Sequence, residues 1–157
     1  MAAANEYDVT PTPFPAGTRT ASALINNIET TASTTSFADK ILVTVTQNGR
    51  LAHWVHVPLD ISATDGTATS HLSLDRDEDD PPSDLLPNHQ LTATTILGGT
   101  IPELDVLSQT LATQISSAIK TRDSRETRTV VFGTGLDKSM SGRGEFSELI
   151  GLVLEVL

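Results

Sequence analysis

Hydrophobic side chains recur along this chain with two different periods, and the switches between them mark out its elements. Over Lys40–Gln47 the residues Ile41, Val43 and Val45 alternate with Leu42, Thr44 and Thr46, which is the period of two that sends successive side chains to opposite faces of a strand. Asn48-Gly49 follows. Both residues tolerate positive φ, so the pair predicts a two-residue hairpin turn into a returning strand over 50–58. On that strand Leu51, His53, Val55 and Val57 share one face, and Ala52, Trp54 and His56 share the other. Upstream, residues 19–36 are dense in Thr, Ser and Ala with Leu24, Ile25 and Ile28 inserted, a composition of half-buried strands. It predicts two strands turning near Asn26 and Asn27. Residues 90–97 and 127–135, the latter around Val130, Val131 and Phe132, predict two more.

A period of three to four takes over after Gly98-Gly99. Thr100, Pro102 and Glu103 read as a capping box with proline in the first turn. Leu104, Leu107, Leu111, Ile115 and Ile119 then form one apolar stripe on a helix running to about Lys120, a stripe suited to packing on a sheet. Leu136 to Met140 reads as a loop. From Glu145 a second helix carries Phe146, Leu149, Ile150, Val153, Leu154 and Leu157 on one broad face, with Leu152 and Val156 beside it.

The remaining stretches lack such patterns. Residues 1–17 hold Pro11, Pro13, Pro15 and Gly17 with few large apolar groups and are expected to form a disordered tail. Within 60–87 the run from Asp75 to Asp84 packs like charges against two prolines, so about 61–88 is expected to be a mobile acidic loop. A calcium loop is disfavoured there: Asp75, Asp77 and Asp79 alternate, but the sixth-position glycine and the twelfth-position glutamate are missing. With the tail set aside, residues 18–157 suit one domain, and 38% hydrophobic residues are enough for a core. The absence of cysteine leaves packing as the source of stability and is expected of a cytosolic or nuclear protein. A net charge of -10 argues against a nucleic-acid partner, since phosphate contacts need clustered Lys and Arg. The basic residues from Lys120 to Arg128 are interleaved with Asp123 and Glu126 and read as a solvated helix end and loop. No apolar run approaches the length of a membrane span, and no basic leader segment opens the chain, so a soluble, unprocessed protein is expected.

Candidate chemistry is sparse. His53 and His56 lie three apart on a strand, so they face opposite ways and cannot share a metal. Asp137, Ser139 and a histidine could compose a triad, but no nucleophile elbow surrounds Ser139. Gly98-Gly99-Thr100 before a helix lacks the phosphate-loop lysine and the dinucleotide fingerprint. A non-catalytic binding protein without cofactor or metal is the expectation. A small hydrolase using Ser139 and a generic dimerising adaptor stand as the alternatives.

KILVTVTQNGRL at 40–51, LTATTILG at 91–98, the helix that follows and LDKSM at 136–140 before a last helix together resemble the proteasome assembly chaperone 3 family, across roughly residues 20–157. The 1–17 tail, the acidic insertion at 75–84 and the long 121–129 connection depart from its pattern. The resemblance implies an α+β domain with a mainly antiparallel sheet of about six strands and two helices. It implies a heterodimer with proteasome assembly chaperone 4 that binds α-type subunits, notably α5, and promotes assembly of the 20S α-ring without remaining in the mature particle. No ATP or metal is implied. Strands with apolar or small side chains on both faces fit a sheet covered once by helices and once by another chain. An uncovered face would also let the chain pair with itself in isolation. The expected dimer contact is the less apolar strand face, with Thr44, Thr46, Trp54, His56, Thr92 and Thr94, because an aromatic on a half-polar face is a common interface anchor. Asp137 and Lys138 are the candidates for client contact.

Overall fold

The computed structural model describes residues 16–60 and 91–157. Apart from Ala16 and Gly17, the expected tail lies outside the described residues, as do the expected acidic loop and Gln90 of the expected fifth strand. Six strands form one sheet: β1 (Thr18–Ile25), β2 (Ile28–Ser36), β3 (Lys40–Gln47), β4 (His53–Pro58), β5 (Thr94–Leu97) and β6 (Thr129–Gly135). Two helices, α1 (Pro102–Arg122) and α2 (Arg143–Val156), complete the domain, with one 3-10 turn at Lys138–Ser141 before α2. The strand order is β1-β2-β3-β6-β4-β5. Every neighbouring pair is antiparallel except β3 with β6, so the α+β, mainly antiparallel architecture is the one expected.

The first turn matches its sequence signal. Asn26 and Asn27 both take positive φ, 49° and 61°, as a tight turn of the type I′ kind requires, and Ile25 pairs with Ile28 across it. The Asn48-Gly49 signal is only half realised. Both residues have positive φ, 53° and 67°, and the Arg50 amide donates to the Gln47 carbonyl at 3.2 Å, yet β3 and β4 do not pair with each other. β6 lies between them. Arg50, Leu51 and Ala52 carry the chain across the end of β6, where a side chain on Gly135 would overlap the Arg50 carbonyl. The physical reason lies in β6 itself: Val130, Val131 and Phe132 present apolar groups to both faces, which suits a central strand and would be wasted at an edge.

The expected capping box is absent. Ile101 is the N-cap residue of α1 and makes no side-chain cap bond, while Pro102 occupies the first turn. A different residue fixes this end: the Asp105 carboxylate accepts from the Thr95 hydroxyl at 2.7 Å and from the Gln109 amide at 2.9 Å, tying the helix to β5. The stripe Leu104, Leu107, Leu111, Ile115 and Ile119 is buried as expected. On α2 the buried residues are Leu149, Leu152, Val153 and Val156, with Phe146, Ile150, Leu154 and Leu157 packed at the margin. The seam that meets the sheet is therefore turned from the face the sequence pattern favoured.

Both helices cover the same face. α1 packs on β4 and β6, and α2 on β1 and β2. The register sets Thr34, Val43, Phe132 and Val55 side by side, all buried beneath those helices. The helix end and loop after α1 are exposed from Thr121 to Arg125, as expected, and the loop is also tied down by its own charged groups. The Arg128 guanidinium donates to both Glu126 carboxylate oxygens, at 2.9 and 2.6 Å, and to the Phe37 carbonyl at 2.9 Å. Lys120 Nζ donates to the carbonyls of Ser124 and Glu126. These cations are occupied by the protein's own acceptors.

Candidate protein-interaction site

The other face of the sheet carries no helix among the described residues. Three central rows of its side chains run across the strands. One reads Ser22, Thr31, Thr46, Gly135; the next Thr20, Ser33, Thr44, Gly133, Trp54, Leu97; the third Thr18, Thr35, Leu42, Val131, His56, Thr94. The expected contact residues Thr44, Thr46, Trp54, His56 and Thr94 therefore do share this face. Thr92 is exposed but precedes β5 rather than belonging to it.

The two halves of this face differ in chemistry. On β1 and β2 the hydroxyls pair across the strands: Thr18 with Thr35 at 3.1 Å, Thr20 donating to Ser33 at 3.3 Å, and Ser22 with Thr31 at 2.9 Å. On β3, β6, β4 and β5 the surface is mixed, with Leu42, Val131, Trp54 and Leu97 set among Thr44, Thr46, His56 and Thr94. Trp54, the chain's one tryptophan, lies across Gly133, where a Cβ would stand only 2.8 Å from the indole ring. Glycine is needed there because the ring occupies the space a side chain would fill. Leu97, 64% exposed, pairs with Trp54 from β5, and Ile96, 56% exposed, stands at the bulge between the Trp54–Leu97 and Val55–Thr95 pairs. Leu42 and Val131 line the neighbouring row, half-buried. The sequence reading missed Leu42, Val131, Ile96 and Leu97. It had Trp54 but not the strand order that surrounds it with aliphatic groups.

His53 and His56 lie on opposite faces, His53 buried and His56 half-buried. The Nε2 of His53 makes no hydrogen bond among the described residues.

Asp137 and Lys138 sit elsewhere, at the exit of β6. Asp137 caps the 3-10 turn: its carboxylate accepts from the Ser139 amide at 3.0 Å. That backbone bond, more than the neighbouring Lys138 charge, holds its pKa below the ordinary carboxylate value. The Asp137 amide in turn donates to the Gln47 side-chain carbonyl at 2.7 Å. Gln47 is buried, and its amide group donates to Thr30 Oγ1 at 2.9 Å. Gln47 of the VTQNG stretch thus positions Asp137 of the LDKSM stretch, and Met140 anchors the same turn in the core. Two of the stretches that carry the family resemblance are one bonded unit. Asp137 and Lys138 remain exposed on it, next to the helix layer and away from the open sheet face.

No protein-family model matches the sequence, and no curated protein is significantly similar to it. Among solved structures the chain is similar to one from the crystal structure of a novel chaperone complex for yeast 20S proteasome assembly. The identity is 15%, the TM-score is 0.51, and the match covers 88% of this chain and 96% of that one. The likeness is one of fold, and it extends over nearly the full length of both chains.

Proposed function

We propose that this protein is a non-catalytic proteasome assembly chaperone that works as one half of a dimer, joined to its partner through the apolar half of the open sheet face. The observation that carries the reading is Trp54, laid across Gly133 beside Leu42, Val131 and Leu97 with no described helix over it. Aromatic anchors surrounded by aliphatic groups are the usual centre of protein interfaces. The shared fold with a chain of a yeast proteasome-assembly complex supports the choice of pathway. In this reading the partner is proteasome assembly chaperone 4. The clients are α-type subunits, notably α5, met in the cytosol or nucleus, with Asp137 and Lys138 on the client side.

The test is affinity purification of the tagged chain from its native cells with mass spectrometry of the co-purifying proteins. Recovery of a second small chaperone together with α-type subunits, and without mature β-type subunits, is the expected result. Trp54→Glu is expected to lower partner recovery by more than tenfold, the scale of an interface hot spot, with the circular dichroism spectrum unchanged. Full partner recovery by a folded Trp54→Glu protein would remove this face from the contact, and a partner set without proteasome proteins would return the chain to the generic adaptors.

A further inference from the structure

The sheet ends in two very different edges. β5 has four residues and pairs with a bulge. β1 ends the sheet with eight residues in unbroken register, and its sequence TRTASALI has neither proline nor lysine. Bulges, prolines and lysines are the usual devices that stop an edge from accepting another strand. In an antiparallel ladder the N–H and C=O of one residue point the same way, and the direction alternates along the strand. The Ser36 amide donates to the Gly17 carbonyl at 3.0 Å, which sets the parity. Arg19, Ala21, Ala23 and Ile25 turn their backbone groups to β2, and Thr18, Thr20, Ser22 and Leu24 turn theirs outward. These four are exposed, Leu24 by 71%.

The charge beside this edge selects among occupants. α2 lies on β1 and β2. Its Phe146 lines a cavity shared with Val106, Leu107 and Thr110 of α1, so that flank faces α1. At 3.6 residues per turn the opposite flank, toward the edge, carries Glu148 and Glu155, both exposed. Arg19, the one cation of β1, is held by the Leu157 carbonyl at 2.8 Å. A second copy added at this edge would set Glu148 and Glu155 against their own images, which like-charge repulsion disfavours. A strand with basic side chains on that face would meet opposite charge.

We propose that the β1 edge is a strand-addition site for an extended basic segment of a partner protein. The segment pairs with the backbone of Thr18, Thr20, Ser22 and Leu24 and sets its Lys or Arg side chains beside Glu148 and Glu155. This site is separate from the apolar half of the open face and does not depend on the role given to Trp54.

The test titrates a synthetic peptide of about nine residues, alternating Lys and Thr, onto the full chain, with the matching Glu and Thr peptide as control. Hydrogen exchange by NMR is expected to slow at the amides of Thr18, Thr20, Ser22 and Leu24 for the basic peptide alone, with affinity falling as salt rises. Ser22→Pro removes an outward N–H and leaves the β1-β2 ladder in place, so it is expected to weaken binding about tenfold. The double variant Glu148→Gln and Glu155→Gln keeps the edge and is expected to erase the preference for the basic peptide. Unslowed amides at saturating peptide would overturn the proposal, as would equal binding of the acidic peptide. Self-association in the ultracentrifuge that Ser22→Pro abolishes would give the edge to a second copy and overturn it as well.

Discussion

The open face of the sheet is one surface with two halves, and neither described helix covers them. On β1 and β2 the hydroxyls satisfy one another in three cross-strand pairs, with Leu24 the one large apolar group exposed beside them. On β3, β6, β4 and β5 the same rows continue with Leu42, Val131, Trp54 and Leu97 among Thr44, His56 and Thr94. Exposure alone does not separate these halves. What separates them is whether anything is gained by removing the surface from water. The hydroxyls already have partners and exchange freely with solvent. Each Å² of the apolar half taken out of water is worth about 25 cal/mol. A partner chain therefore has reason to sit on the second half and little reason to extend over the first.

The sharpest way to break this comparison is at Gly133. Gly133→Ala puts a methyl group 2.8 Å from the Trp54 ring, closer than packed atoms tolerate, so the indole must lift off β6. The expected cost is about 1–3 kcal/mol, the range of an overpacked site, read as a lowered urea midpoint. Since Trp54 is the chain's only tryptophan, its emission reports the displacement directly, and partner recovery should fall with it. Unchanged emission and stability would mean that the indole is not seated on Gly133, and the apolar half would lose its centre.

The alternation that defines both faces was legible in the sequence, because period two is a local property of each strand. Thr44, Thr46, Trp54, His56 and Thr94 could be assigned to one face on that basis. Adjacency was not legible. Asn48-Gly49 carries the local geometry of a hairpin, but the placement of β6 between β3 and β4 depends on a strand about 80 residues later finding the centre of the sheet, a non-local choice. Leu42, Val131 and Leu97 were missed as neighbours of Trp54 for the same reason. Gln47 could have been noticed: it continues the buried parity of Ile41, Val43 and Val45, and a buried amide demands partners on both its ends. Which partners it finds, Thr30 and the Asp137 amide, again follows from the strand order. Thr100 failed as a cap because Asp105 and Pro102 already fix that end of α1.

A smaller effect tests the junction between the halves. Arg128, at the entry to β6, donates to the Phe37 carbonyl after β2 while its guanidinium is held by Glu126. The hydrogen bonds from the Arg128 side chain come first among the causes that lower the Glu126 pKa from 4.5 to about 2. A carboxylate whose folded pKa is depressed contributes its stability fully above its unfolded value. That contribution is lost as pH falls toward the folded value. Between pH 4.5 and about 2 the protein should therefore lose the share of stability due to this pair, on the order of 1 kcal/mol for a well-formed bidentate pair near the surface. Glu126→Gln should be less stable at neutral pH, and its loss of stability across that acid window should be shallower. Parallel acid profiles for the two proteins, followed by chemical denaturation at each pH, would show that the junction is held by something other than this pair.

The smallest effect belongs to the hydroxyl half. Thr20→Ala and Ser33→Ala each remove one side of an exposed cross-strand bond at 3.3 Å, and water can replace the lost partner. Each is expected to change stability by no more than about 0.5 kcal/mol, with a coupling of a few tenths of a kcal/mol in the double variant. Partner recovery should not change, in contrast to Trp54→Glu on the same row. A loss of partner with either alanine variant, at intact stability, would mean that the contact spans the whole sheet from β1 to β5. The hydroxyl pairs would then be exchanging their internal bonds for bonds to the second chain, and the division into a self-satisfied half and an unsatisfied half would describe only the unpartnered state.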